Sequence, residues 1–387
     1  MNSKLIDSVS KFISPTLNFE VGQIQKYPIL KSSDRNRIIA QSCIDISKKD
    51  WDSFETSWDF KTSPLLSMKG NSKSLQTTYN CLRMEWQKWT DEMLNLEEEN
   101  NQIFIDAYDL NDELEKNVSL QDITLSRNPA YRYGIKISRD MQEEKLLRDT
   151  IKEFISYSVG CMFGRYSVDI PGLIIANQGE DLKSYFRSVP NPSYIPDDDN
   201  IIPILSLDWF EDDINERFRK FLRNTFGNNS FEENIRFIER ALGKNTRKYF
   251  LNDFYNDHIQ TYKKTPIYWM FSSPKGSFNV LIYMHRYCRD TIPIMLDKYL
   301  REFLLKLNAE KNNLERIEIS SSASSSEKTS AMREMQKIDN ILQELNNWEK
   351  DVVFPLASQR LEINLDDGVK TNYPKFGIAL KKISGLN

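Results

Sequence analysis

Cations interleaved with aromatic rings are the residues of this sequence best suited to hold a ligand. Between Arg217 and Arg289 there are fourteen Lys/Arg against five acids, a local balance of +9 inside a chain whose formal charge is −4. Within that stretch, residues 260–289 contain no acid and alternate Lys263, Lys264, Lys275, Arg286 and Arg289 with Tyr262, Tyr268, Trp269, Phe271, Phe278, Tyr283 and Tyr287. A nucleic-acid surface needs this combination, because cations neutralise phosphates, ring faces stack on bases and polar tips read base edges. The pattern assigns phosphate anchoring to Lys263, Lys264, Lys275, Arg286 and Arg289, and base contacts to a subset of Tyr268, Trp269 and His285. Arg217, Arg219, Lys220 and Arg223 form a second candidate for backbone contact, with a solvated helix face as the alternative. Residues 267–271 and 278–283 also read as two strands joined by a Ser/Pro/Gly loop, which makes half of these aromatics ordinary core.

Other chemistries lack their residues. Phosphate and dinucleotide loops need closely spaced glycines, and no GxG occurs; Gly160 and Gly164 follow a helical pattern and lack a P-loop ending. Two histidines, no HExxH and four scattered cysteines leave no His- or Cys-based metal centre to propose. Asn191-Pro192-Ser193-Tyr194 looks like an amine-holding Asn-Pro-Pro-Tyr loop, but it runs into a Pro/Asp/Asn cluster and reads as a turn. Asp366 and Asp367 could pair on a metal, and an Asp-Gly turn is the stronger reading.

The elements that must position these groups follow from periodicity. The 387 residues, 40% hydrophobic and 12% aromatic, suggest two or three domains with cores of their own. Residues 5–13 form an amphipathic helix, 15–24 a strand closed by Pro28, and 35–48 a helix capped by Asp34. From 74 to 107 the pattern is helical, with Leu82, Trp86, Trp89, Met93 and Leu96 as one buried stripe. Ten acids and no base lie between Asp91 and Glu115, a solvated face that repels nucleic acid. After Asp290 a long helix, a Ser-rich break at 320–326 and a second helix from Met335 to Val352 make an antiparallel hairpin. The fold class expected is α+β: predominantly helical and multi-domain, with small β-sheets and a C-terminal long helical hairpin. The divisions are 1–67, a linker with a short helix and strand; 68–200, helical with the acidic run; 201–290, basic and aromatic; and 291–387, hairpin and tail. No apolar run approaches bilayer length, and no secretory signal precedes the first helix, so no membrane partner and a cytoplasmic location are expected.

Several stretches together resemble the C-terminal half of the PglX family, the adenine-specific DNA methyltransferases of type 1 BREX phage-defence systems. More distantly they are similar to large bacterial methylase-type restriction-modification proteins. The segments are Asn18-Phe19-Glu20-Val21-Gly22, residues 99–108, Val159-Gly160-Cys161-Met162-Phe163-Gly164-Arg165-Tyr166-Ser167, Pro196-Asp197-Asp198-Asp199-Asn200-Ile201-Ile202-Pro203, Pro266-Ile267-Tyr268-Trp269-Met270-Phe271-Ser272-Ser273, Tyr283-Met284-His285-Arg286-Tyr287 and Leu365-Asp366-Asp367-Gly368-Val369-Lys370. The resemblance implies a portion that follows the catalytic domain and supplies target recognition. S-adenosylmethionine is then expected only in a full-length family member, with no cofactor, metal or methyl transfer in this chain. The implied partners are double-stranded DNA, the catalytic methyltransferase half and other BREX components. A docking module for other defence subunits or phage inhibitors is the alternative.

Overall fold

A computed structural model of the chain describes residues 3–13, 22, 25, 27 and 34–386. The strand expected over 15–24, with its closing proline at 28, therefore lies outside the described residues, apart from isolated positions. The chain divides into two compact units, Met1–Thr150 and Ile151–Asn387.

The first unit is helical. Helix α1 (Lys4–Ile13) is tied by its first amide, which donates to Asn101 Oδ1 at 3.0 Å. Helix α2 (Asp34–Trp51) carries in its last turn Asp50, whose buried carboxylate accepts from the amides of Ser126 (2.7 Å) and Arg127 (2.9 Å). Helix α3 (Leu75–Ala107) starts at Ser74, whose hydroxyl accepts from the Thr77 amide. Its Leu82, Trp86 and Met93 are buried, and Trp89 and Leu96 half-buried, as the 4-3-4-3 spacing requires. Met93 packs with Ile46, Ile123 and Leu125. Arg127, 1% exposed, lies over the rings of Phe54 and Trp86 and bonds Ser53.

Helix α4 (Arg139–Phe163) begins in the first unit and ends in the second, where Ile151, Phe154, Ile155, Val159, Met162 and Phe163 are wholly buried. Gly160 sits where any Cβ would collide with the Tyr166 ring, and Gly164, at φ +78°, ends the helix.

The second unit places a three-stranded antiparallel sheet among helices. Among its elements are β1 (Ile201–Pro203), α5 (Ile214–Phe226), α6 (Phe231–Leu242), α7 (Tyr255–Thr261), β2 (Tyr268–Ser272), β3 (Asn279–Tyr283), α8 (Arg301–Ile319) and α9 (Ser325–Trp348). The sheet order is β1-β3-β2, with Tyr268 opposite Tyr283 and Ser272 opposite Asn279. Every residue of β3 is buried, so the sheet is covered on both faces and its strands read as continuous apolar runs. The outer side of β2 is closed by the C-terminal segment: Phe271 bridges Leu380, and the Lys381 amide donates to the Met270 carbonyl at 2.9 Å.

Helices α8 and α9 form the expected antiparallel hairpin, since Arg301 at the start of α8 pairs with Glu349 just beyond α9 while Lys311 pairs with Asp339. The break between them is shorter than the Ser-rich stretch suggested. Ser324 and Glu327 form a capping box, which pulls Ser325 and Ser326 into the first turn of α9. The whole is the predominantly helical α+β fold expected from periodicity.

Candidate nucleic-acid interface

The β2–β3 ribbon sorts the candidate residues. Its register puts the turn before β2 and the segment after β3 at one end, and the 273–278 loop at the other. The four residue steps along β2, at about 3.3 Å each, separate the ends by about 13 Å. Lys275 therefore lies apart from Lys263, Lys264, His285, Arg286 and Arg289.

Lys263 and Lys264 are exposed on a tight turn that follows α7. Both adopt left-handed backbone (φ +49° and +65°), and the turn is closed by amides donating from Lys263 to Gln260 (3.1 Å) and from Lys264 to Ile259 (2.8 Å). Two successive left-handed residues without a glycine are costly, so the turn is held by its surroundings. Among the described residues no carboxylate pairs with either lysine.

Lys275 is exposed in a loop fixed from outside. The Lys275 amide donates to Glu344 Oε1 at 2.7 Å, and the Ser277 hydroxyl donates to Glu344 Oε2 at 2.5 Å. Glu344 belongs to α9 and is 8% exposed, so the hairpin sets the loop while the Lys275 ammonium stays in solvent. Arg289 is exposed and reaches Glu362 only at 4.0 Å.

Three of the proposed contacts need correction. Tyr268 and Trp269 are 0% and 1% exposed. Tyr268 stacks on Phe163, and Trp269 packs edge-on to Tyr373 and Phe376 while donating its indole N–H to the Pro266 carbonyl. No ring face is left for a base. Arg286 is an internal clamp: Nη1 donates to the carbonyls of Phe163 (3.2 Å) and Asp197 (2.8 Å), and Nη2 to that of Asp198 (3.0 Å). His285 is half-buried, stacked on Tyr283 at 4.9 Å, and burial, then the Arg165 charge, pushes its pKa down to about 4. It is a neutral imidazole at neutral pH, so any edge contact it makes is uncharged.

The second candidate patch is also partly consumed. Arg217 binds the fully buried Asp197 carboxylate and the Asp212 carbonyl. Arg219 and Arg223 lie over the Phe231 ring at 4.8 and 4.1 Å, and Lys220 alone of the four is exposed.

Asp197, Asp198 and Asp199 bring carboxylate oxygens within 4.8 Å of one another. Asp197 already accepts from the Ile201 amide and Arg217, and Asp199 from the Tyr299 hydroxyl and Lys298, so the loop is a structural knot around β1. Ser193 bonds Asp169 and Tyr194 is buried against Phe221, which leaves Asn191-Pro192-Ser193-Tyr194 as the turn its composition suggested. Asp366 and Asp367 end a short turn capped by Asn364.

Arg165 is the residue that sequence reasoning passed over. Nε donates to the Tyr166 hydroxyl (3.3 Å) and Nη1 to the Tyr283 hydroxyl (3.0 Å), and the phenols of Tyr262 and Tyr268 are near enough to act on the guanidinium electrostatically. A helix-ending glycine followed by Arg-Tyr is the only local signal.

No family model matches the chain. Curated proteins do. The adenine-specific methyltransferase BrxX of Escherichia coli O9:H4 (strain HS) is 36% identical across all of this chain, which covers 32% of that protein. The adenine-specific methyltransferase PglX of Lacticaseibacillus casei (strain Zhang) is 34% identical over 97% of the chain, which covers 30% of its length. Identity at this level along a whole chain carries common ancestry, and the resemblance read from motifs is borne out. The chain is thus a homologue of adenine-specific methyltransferases of the BrxX and PglX type, matched from end to end but spanning about a third of their length.

Proposed function

We propose that this chain recognises double-stranded DNA for a BREX-type adenine-specific methyltransferase acting in phage defence. The observation that carries the reading is the placement of unpaired lysines, Lys263–Lys264 and Lys275, at the two ends of one rigid ribbon in a homologue of such enzymes. Cations at opposite ends of a stiff ribbon suit phosphates several steps apart along a duplex. Arg289 and Lys220 extend the contact, and His285, at the same end of the ribbon as the lysine pair, is a polar group able to meet a base edge. The chain has no GxG and no Asn-Pro-Pro-Tyr, so S-adenosylmethionine binding and base flipping fall to the remaining two thirds of such a methyltransferase. Cytoplasmic location and other BREX proteins as partners follow from the same reading.

A second reading concerns the first unit. Trp58 is fully exposed and Trp51 is 58% exposed, and ten acids lie between Asp91 and Glu115. Exposed tryptophans and acids suit a protein partner better than a polyanion. The first unit would then dock another defence subunit while the second holds DNA.

Fluorescence anisotropy with a labelled duplex tests the proposal. The K263E/K264E chain is expected to bind at least about tenfold more weakly at low salt, and K275E several-fold more weakly. Unchanged affinity in folded variants, or methyl transfer by the chain alone with labelled S-adenosylmethionine, would overturn it.

A further inference from the structure

The hydrogen bonds that Arg165 makes end on phenol oxygens and not on carboxylates. Other inward-turned arginines of the chain have acceptors of full or partial charge: Arg83 grips Glu143 with two bonds, Arg217 binds Asp197, Arg247 binds Asp208 and Asp213, and Arg286 takes three carbonyls. Arg165 is only part-exposed, has no carboxylate among the described residues, and spends two of its five N–H groups on phenol oxygens. A cation taken from water without an anion is costly, and the carbonyls at the end of α4 offset only part of that cost.

Two imidazoles stand in the same cluster. His258 Nε2 accepts from the amides of Ile267 and Tyr268 at 3.2 Å each, so its proton is on Nδ1, and that buried atom has no acceptor. The Nδ1 of His285 is likewise buried without a partner. Both rings are held neutral, first by burial and then by the Arg165 charge, with Glu180 opposing at His285. His258 lies 4.7 Å from the ring of Tyr262, whose chain continues directly into the exposed Lys263 and Lys264. The cluster thus holds the Arg165 cation and two buried imidazole nitrogens without a partner, is bordered by a lysine pair, and among the described residues has no carboxylate bonded to Arg165.

We propose that Arg165 is the seat of a phosphate oxyanion, with the Tyr166 and Tyr283 phenols orienting its guanidinium. A DNA backbone phosphate and a free phosphate compound share the required chemistry. The first source rests on the DNA reading above and would make Arg165 a phosphate contact beside Lys263–Lys264; the second does not depend on that reading.

The chain has only two histidines, so the His285 ring proton can be assigned by NMR through H285N. Inorganic phosphate and then a short duplex are titrated into the wild-type chain, R165Q and R165K between about pH 3.5 and 6.5, a range that spans the His285 midpoint of about 4. An anion at Arg165 offsets its charge, so phosphate is expected to raise the His285 midpoint by about half a pH unit or more. R165Q should begin with a raised midpoint and show no further response, and should weaken duplex binding about fivefold with a salt slope shallower by about one. R165K, which keeps the charge but loses the fork, should respond weakly, and it carries the comparison if R165Q does not fold. No phosphate response in the wild-type chain overturns the proposal, whether or not DNA binds. A response lost in R165Q with duplex affinity unchanged assigns the seat to a free phosphate compound. A phosphate response in a chain that binds no duplex leaves the seat standing and removes the DNA reading.

Discussion

His258 ties two segments by accepting both the Ile267 and Tyr268 amides on one nitrogen, and complete burial holds it neutral with a pKa pushed down to about 3. In the unfolded chain the ring titrates near 6.5, so below that pH unfolding takes up a proton that the folded state refuses. Stability should therefore fall as pH drops from about 6.5 towards 3, by roughly 2–3 kcal/mol from this residue at about pH 4.5. Thermal melts across that range check it. H258Q, which keeps an acceptor for the two amides and removes the titration, should melt with a shallower pH dependence, and an unchanged slope would refute the assignment. At this scale the sequence was only half legible. Lys263, Lys264, Lys275 and Arg289 are exposed cations, as their pattern suggests. Arg286 and Arg217 look the same in sequence, yet they are consumed by Asp197 and by carbonyls tens of residues away. The acids that neutralise the basic stretch, Asp197, Asp208 and Asp213, lie before it in the chain, so a local charge count could not see them.

Elements were more legible than sites, because periodicity is local and pairing is not. Helix α3 and its buried stripe, and strands β2 and β3 to within a residue, follow from spacing alone. Strand β1 has three residues and exists because Ile201–Pro203 pair with β3, a contact no local pattern announces. Glu344 escaped for the same reason: it looks like one more acid on a helix, and its role is set by a loop 67 to 69 residues earlier. Helix α4 offers a direct test of packing. Replacing Gly160 with Ala adds some helix propensity but drives a methyl into the Tyr166 ring, so G160A should cost about 1–3 kcal/mol net. Urea denaturation reads the cost, and a stabilised G160A would show that Tyr166 yields easily.

For the molecule as a whole, the number of cations able to reach phosphate fixes how binding responds to salt. Fourteen basic residues acting together would give a log–log slope of about −13, whereas Lys220, Lys263, Lys264, Lys275, Arg289 and Arg165 give between about −3 and −5. Anisotropy at a series of salt concentrations distinguishes these, and a slope well beyond −6 would bring other faces into the contact. The acidic run in the first unit makes that unit a poor contributor. The C-terminal segment has a further consequence. By laying Leu380 and Lys381 along β2, with one bridge and one amide–carbonyl bond, it covers part of a strand edge that would otherwise be open to another chain. An edge covered in this way is less open to pairing with a second copy. A tag or a cut placed there would first be felt as aggregation, well before any loss of the core.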